Sequence, residues 1–352
     1  MVEANMVKKN QVPILLTLVI PFISLFFISS CNQSSTISEI SLKPETSLGD
    51  GIYRIRGTDS GVDLIWSPRG ELLAGLITSS PLPFPDCPPF PPACWLLGGE
   101  KKFNSEIFIV DLVTNQRQII FRTEKNEKII SRIFWLPDGQ HIGYLIYDDK
   151  GYETGTWSID NQGQNNVRIN NDNDSPRWSH DGSKIAVEEY SGIFLIDAST
   201  NQKQQIFEIK NPDSSLYGLS WSHDEKTLAF SYGDRRSEEP EGQPKIYFLE
   251  LATNEITKLT GDKFDEFTYP EFSPTNNLIA FQRYQPSFFR HTTVIKDLNT
   301  DCQIELPLTD VTSVSWSPDG QKLVVSTLSD TYIVDLTEFI GKGFIETGSV
   351  CS

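Results

Sequence analysis

One six-residue phrase is written six times along this chain, and that repetition constrains its fold more than any other feature. The copies are Ile65-Trp66-Ser67-Pro68-Arg69-Gly70, Phe134-Trp135-Leu136-Pro137-Asp138-Gly139, Arg177-Trp178-Ser179-His180-Asp181-Gly182, Ser220-Trp221-Ser222-His223-Asp224-Glu225, Glu271-Phe272-Ser273-Pro274-Thr275-Asn276 and Ser315-Trp316-Ser317-Pro318-Asp319-Gly320. An aromatic residue always holds the second place. The chemistry of the phrase is that of a hairpin turn: Pro presets φ, Asp bonds back to the backbone, and Gly accepts the positive φ that follows. One strand therefore ends at the aromatic and the next begins after the turn.

The stretches that follow, such as Lys184-Ile185-Ala186-Val187-Glu188 and Lys322-Leu323-Val324-Val325, alternate as strands do. A third strand with an acidic end recurs as Ile107 to Asp111, Ile193 to Asp197, Ile246 to Glu250 and Tyr332 to Asp335. A polar turn such as Thr200-Asn201-Gln202 then leads to a fourth strand, as at Gln205-Ile206-Phe207. Four short strands in a repeat of about 43 residues make a propeller blade. The expected fold is all-β: a six-bladed β-propeller of four-stranded antiparallel blades over residues 51–352.

The Trp-Ser-Pro-Asp-Gly phrase, with its alternating strand and acidic-ended third strand, resembles the propeller repeat of the TolB family, which is also seen in prolyl oligopeptidase-type peptidases. The resemblance spans roughly residues 52 to 348. Blade five departs furthest, with Phe272 for Trp and Thr275-Asn276 for Asp-Gly. Two segments compete to complete the last blade, Ile52-Tyr53-Arg54-Ile55 and Gly343-Phe344-Ile345. The first stands 11 residues before Trp66, where a fourth strand belongs, and is the expected closure.

Ahead of the repeats, Lys8 and Lys9 precede a run from Gln11 to Ser38 that has no charged side chain and is strongly apolar from Val12 to Ile28. That is the layout of a signal peptide. The run ends in Ile28-Ser29-Ser30-Cys31, which resembles the lipobox of bacterial lipoproteins. The resemblance implies that residues 1–30 are removed and that Cys31 carries the lipid. A plain anchor helix with an incidental cysteine is the alternative. Residues 31–50, rich in Ser and Thr, read as a lipidated flexible tether.

The net charge of −17 argues against nucleic acid as a partner and against attraction to anionic headgroups, so acyl chains would have to supply membrane attachment. Beyond Cys31 stand Cys87, Cys94, Cys302 and Cys351. In an exported chain, disulfide pairing is expected. Cys87 with Cys94 closes a small ring, and Cys302 with Cys351 is the remaining pair. Neither pair has a nearby histidine or the ligand spacing of structural zinc, so no metal and no cofactor is expected.

From the anchor aromatic to the acidic end of the third strand the intervals are 45, 25, 19, 29, 25 and 19 residues. From that acid to the next anchor they are 24, 18, 24, 22 and 19. Insertions thus gather between strands two and three, on the face that also carries the connections between blades. Long loops on a rigid scaffold mark that face for binding. In blade one, Ser79 to Asn104 holds seven prolines, the Cys87 and Cys94 pair, and Phe84, Phe90 and Trp95; it reads either as a stapled binding loop or as a lid over a blade edge. Blade five offers Arg283, Tyr284, Phe288, Phe289 and Arg290, residue types enriched at interface hot spots. The alternative there is that Phe288 and Phe289 begin the third strand and pack inside. In blade four, Asp234 to Lys245 reads as a solvated loop.

Catalytic patterns are scarce. His180 and His223 occupy the proline place of the hairpin phrase, where neighbours along a tight turn do not form a nucleophile–base–acid array. No Gly-x-Ser-x-Gly elbow occurs. The carboxylates at 111, 197, 250 and 335 recur by blade register, and Asn170 to Asp174 lacks the spaced loop and distal Glu of a calcium site. The expected function is a monomeric, lipid-anchored interaction scaffold of the cell envelope that faces the periplasm or exterior and binds an envelope protein. The alternatives are an enzyme acting on a lactone, sugar or polysaccharide, or a module that binds a ligand or glycan without turnover.

Overall fold

The computed structural model describes residues 51–55, 62–79, 104–123, 128–148, 153–170, 176–234, 242–261 and 264–338. All belong to the compact unit Glu39–Ser352. They form six four-stranded antiparallel sheets. The first strand of the chain is β1 (Ile52–Arg54). Blade 1 is Asp63–Trp66, Leu72–Ser79, Asn104–Asp111 and Arg117–Arg122 (β2 to β5), and blade 2 is Lys128–Trp135, His141–Asp148, Glu153–Asp160 and Val167–Asn170 (β6 to β9). Blade 3 is Arg177–Trp178, Lys184–Glu189, Gly192–Asp197 and Lys203–Glu208 (β10 to β13). Blade 4 is Ser215–Trp221, Thr227–Gly233, Lys245–Glu250 and Ile256–Lys258 (β14 to β17). Blade 5 is Glu266–Phe272, Leu278–Gln285, Arg290–Asp297 and Gln303–Thr309 (β18 to β21). Blade 6 is Val311–Trp316, Lys322–Thr327 and Thr331–Asp335 (β22 to β24), with β1 as its outer strand.

Every anchor aromatic is the last residue of an innermost strand, as the repeat implies. The turn that follows is built alike in most blades. Ser67 N–H donates to Leu72 O and Gly70 N–H to Ser67 O, each at 2.9 Å, and Ser179 Oγ donates to Asp181 Oδ1 at 2.7 Å. Gly182 and Gly320 have φ of 71° and 68°, and a Cβ on either would press on Pro137 or on Ser273 and Thr275 of the preceding blade. Both conformation and space therefore select glycine. Blade 4 holds Glu225 at φ 59° in the same place. Blade 5 turns differently: the amide of Leu278 is met by Asn276 Oδ1 at 3.0 Å rather than by the phrase serine.

The recurrent acids at the end of the third strands also close turns. Asp197 Oδ1 accepts from the amides of Ser199 and Thr200, and Asn201 follows at φ 57°. The Ser199 hydroxyl, which donates to the same oxygen at 2.6 Å, contributes most and with these amides holds the Asp197 carboxyl at about 2, well below its ordinary value.

The core lies between blades rather than inside any one of them. Ala74, Ile107 and Ile109 of blade 1 cluster with Ile130, Ile142 and Tyr144 of blade 2, and Ile295 and Leu306 of blade 5 with Leu323 and Val325 of blade 6. Neighbours on both sides bury both faces of the middle strands, so Leu323, Val324 and Val325 are all inaccessible. In these strands the alternation expected from the sequence gives way to continuous burial.

Indole N–H groups link successive blades at the ring's inner edge. Trp135 donates to Ile65 O at 3.3 Å, Trp221 to Arg177 O at 2.8 Å and Trp316 to Glu271 O at 2.9 Å. Each acceptor is the residue before the anchor of the preceding blade. Serines in that position reach the other way: Trp66 N–H donates to Ser315 Oγ at 3.0 Å and Phe272 N–H to Ser220 Oγ at 2.8 Å.

The N-terminal strand closes the ring, as expected. β1 pairs antiparallel with β24 in the register Ile52 to Val334, Tyr53 to Ile333 and Arg54 to Tyr332. Arg54 adds an ion pair to Asp330 at 2.5 Å, and Tyr53 Oη donates to Glu338 Oε2 at 2.7 Å. Gly343 to Ile345, the rival closing segment, lies outside the described residues.

Two predictions follow from this architecture. Trp221→Phe should cost about 1 kcal/mol more in urea unfolding than Trp178→Phe, because the Trp178 indole N–H has no partner among the described residues. The Asp197 turn contributes fully above its ordinary pKa of 3.8 and loses its contribution as pH falls toward about 2. The melting-temperature deficit of Asp197→Ala, followed by circular dichroism, should therefore be constant above about pH 5 and shrink below it.

Candidate functional site

Because each innermost strand ends at its anchor, all six turns open on one end of the ring. The starts of these strands and the loops between strands two and three lie at the other end. The side chains that carry charge toward the ring's axis sit one and three places before the anchor. The first of these places holds Ile65, Phe134, Arg177, Ser220, Glu271 and Ser315, and the second holds Asp63, Arg132, Gly218, Tyr269 and Ser313 in the described blades. Two arginines and two acids, far apart in sequence, thereby meet in one channel, where Glu188 near the end of β11 joins them.

Backbone irregularity aims several of these groups. Bulges interrupt β6 between Ile130 and Arg132, β14 between Tyr217 and Leu219, and β18 between Thr268 and Glu271. The last bulge holds Tyr269 at φ 51°, a left-handed conformation unfavourable for an aromatic residue. Tyr217 supports its ring at a centroid distance of 5.9 Å. Phe289 at φ 50° is the other aromatic residue with positive φ among the described residues, and it too belongs to blade 5.

Contacts in the channel are sparse for so many charges. Arg177 donates Nε to Leu219 O at 3.0 Å and reaches Glu271 Oε1 at 3.4 Å. Asp63 Oδ1 accepts from Thr312 Oγ1 and Ser313 Oγ, both at 3.0 Å. Burial raises the carboxyl pKa of Asp63, Glu188 and Glu271 despite the opposing pull of the arginines. Solvent reaches 31% of the Glu271 side chain through the open channel, yet protein surrounds the carboxyl, and loss of bulk water is the dominant cause. Burial likewise raises the Tyr269 phenol and lowers the Arg132 guanidinium.

Two cavities lined by described residues lie along the axis. One of about 260 Å3, at the end where the innermost strands begin, is lined by Asp63, Arg132, Arg177, Tyr269, Glu271 and Gln282 among others. The other, of about 400 Å3, opens among the hairpin turns, where Trp66, Trp135, Trp178 and Trp316 surround it with His180 and His223. His180 stands 3.8 Å from Glu225, and burial lowers its pKa. Among the described residues, no three His, Cys, Asp or Glu side chains are grouped to hold a metal ion.

The blade 5 residues singled out from sequence fall into two sets. Arg283 serves the hairpin itself, bound to Asp265 at 2.6 Å and to Glu305 at 3.5 Å, while Tyr284 stacks on His291 at 4.3 Å. Arg290 pairs with Glu305 at 3.2 Å. Phe288 and Phe289 do not pack inside. They occupy the turn between β19 and β20 and are 73% and 84% exposed, because the two strands extend past the blade body before reversing. Cys302 is disulfide-bonded. Cys31, Cys87, Cys94, Cys351, Phe84, Phe90 and Trp95 lie outside the described residues, as do most of the blade 4 loop and 171–174.

Sequence reasoning missed the channel cluster. Its signal was a charge immediately before the anchor, at Arg177 and Glu271, where four other blades carry uncharged residues.

Six such blades around a charged axial channel define a six-bladed β-propeller with a central site. The chain belongs to the TolB beta propeller domain family, whose match covers residues 98–334. No curated protein matches it. Among solved structures it is similar to "putative TolB from Agrobacterium tumefaciens", at 16% identity over 81% of this chain and 96% of that one, with a TM-score of 0.50. It is also similar to an oligogalacturonate lyase in complex with manganese, at 11% identity over 86% and 98%, TM-score 0.50. The acylaminoacyl peptidase of Pyrococcus horikoshii matches at 15% identity over 82% of this chain and 46% of that one, TM-score 0.49. At such identities the two likenesses with a TM-score of 0.50 show the fold alone.

The raised Glu271 pKa has a definite sign in stability. The folded state holds this proton more tightly than the unfolded chain, so the group's contribution is greatest below the ordinary pKa of 4.5 and declines as pH rises through the raised value. Relative to wild type, Glu271→Gln should gain stability in urea unfolding as pH increases from about 4 to 8.

Proposed function

We propose that this chain is a lipid-anchored TolB-type propeller of the bacterial cell envelope that acts as a protein-interaction scaffold. The observation that carries this reading is the pair Phe288 and Phe289, exposed at 73% and 84% on the tip of a hairpin that a pairing network stiffens from below. Exposed aromatics on a preorganised support bury much apolar area on docking and lose little entropy. They share their end of the ring with Ser79 and Asn104, the strand ends between which the sequence places Phe84, Phe90 and Trp95. A disulfide at Cys302 suits an exported protein, and the signal-peptide pattern with Cys31 supplies the route to the membrane. The partner is an envelope protein, and the propeller works as a monomer.

Crosslinking in intact envelopes tests the reading. Phe288→Ser with Phe289→Ser should weaken partner capture by about thirtyfold per hot-spot residue while leaving the melting temperature nearly unchanged. Undiminished capture would overturn the assignment of this surface. Cys31→Ser should abolish fatty-acid labelling and release the protein from membranes; an unlabelled wild-type protein would overturn the anchor.

The convergence of Asp63, Glu188 and Glu271 favours a second reading, an enzyme acting on a lactone, sugar or polysaccharide. Carboxyls with raised pKa in a cleft can serve as general acids. Turnover of such a substrate that Glu188→Gln or Glu271→Gln abolishes would establish it.

A further inference from the structure

Arg132 differs from the other half-buried arginines of the ring. Arg54 is bound to Asp330, Arg117 to Glu106, Arg177 to Glu271 and Arg283 to Asp265. Among the described residues, the Arg132 guanidinium has neither an ion pair nor a hydrogen bond, although it lies within electrostatic reach of Asp63, Glu188, Tyr269 and Glu271 and is repelled by Arg177. A half-buried cation without a direct partner is costly to the fold. The bulge between Ile130 and Arg132 nevertheless turns it into the 260 Å3 cavity. Gln282, only 8% exposed, lines the same cavity, and its side-chain amide also has no hydrogen-bond partner among the described residues.

We infer that this cavity binds a small zwitterion, a molecule of amino-acid or dipeptide size whose carboxylate is received by Arg132, with help from Arg177 and Gln282, and whose ammonium is received by Asp63. The volume equals about nine waters, which suits such a ligand and excludes a long chain held entirely within. A planar guanidinium with its donors free matches a carboxylate by paired hydrogen bonds. The charge pattern decides against phosphate. Two arginines face Asp63 and Glu271 in the lining, with Glu188 in electrostatic reach of the arginines, so a ligand without net charge adds no repulsion, whereas a dianion would be set against these acids. The site is independent of the aromatic hairpin and stands whether or not that hairpin docks a protein.

Calorimetry on the full chain in detergent, with alanine, alanylalanine, propionate and inorganic phosphate as probes, tests the assignment. Saturable binding is expected for at least one zwitterion, and the stronger of the two identifies a free amino acid or a peptide as the source of the shared chemistry. Arg132→Met should weaken that binding at least tenfold. Asp63→Asn should weaken zwitterion binding at least threefold while leaving propionate unaffected. Without ligand, Arg132→Met should melt no lower than wild type, since it removes an unpaired cation. Phosphate binding as tight as the zwitterions, no saturable heat from either zwitterion, or a destabilised Arg132→Met would each overturn the proposal.

Discussion

A blade of this ring cannot bury its own surface. Its middle strands are apolar on both faces, so each sheet needs a neighbour on either side, and a row of such sheets is satisfied only when it returns to its start. Burial of Leu323, Val324 and Val325 expresses that demand within one strand. Other features serve it. Indole-to-carbonyl bonds and serine-to-amide bonds hold adjacent innermost strands in phase, glycines let neighbouring turns approach, and β1 joins the two ends through the same ladder that builds every blade.

Closure also creates the site. Asp63, Arg132, Arg177, Tyr269 and Glu271 come from four blades and approach one another only because the ring brings every innermost strand to a common axis. The resulting medium is partly screened from water, so charges there are held at a cost that a surface would not impose. Tyr269 adds a backbone cost of its own. These expenses fall at the axis, away from the cores between blades where stability is generated.

Much of the architecture was legible in the sequence because it is local. The end of each innermost strand at its aromatic, the turn chemistry of Asp181 and Gly182, the recurrence of Asp197 by blade register, and closure by Ile52 to Arg54 all depend on residues near one another or on their period. The strand alternation was misleading because burial on both faces is set by neighbouring blades. The channel cluster depends on a rotation about the axis that no interval along the chain expresses, so Arg177 and Glu271 looked like ordinary flanks of their phrases. The exposed state of Phe288 and Phe289 depended on how far β19 and β20 run before reversing, a length that periodicity alone does not set. Arg283 resembled an interface residue by type, but Asp265 and Glu305 already claim it.

The closing strand has a mechanical side. Whatever precedes Gly51 in the chain is joined to the ring through β1, so tension from that direction bears first on a strand of three residues rather than on a whole blade. Its ladder to β24 is backed by Arg54 with Asp330 and by Tyr53 with Glu338, both outside the apolar core. The seam that completes the circle is therefore also its load-receiving point, and these polar fastenings stand where a pull would begin to peel it open.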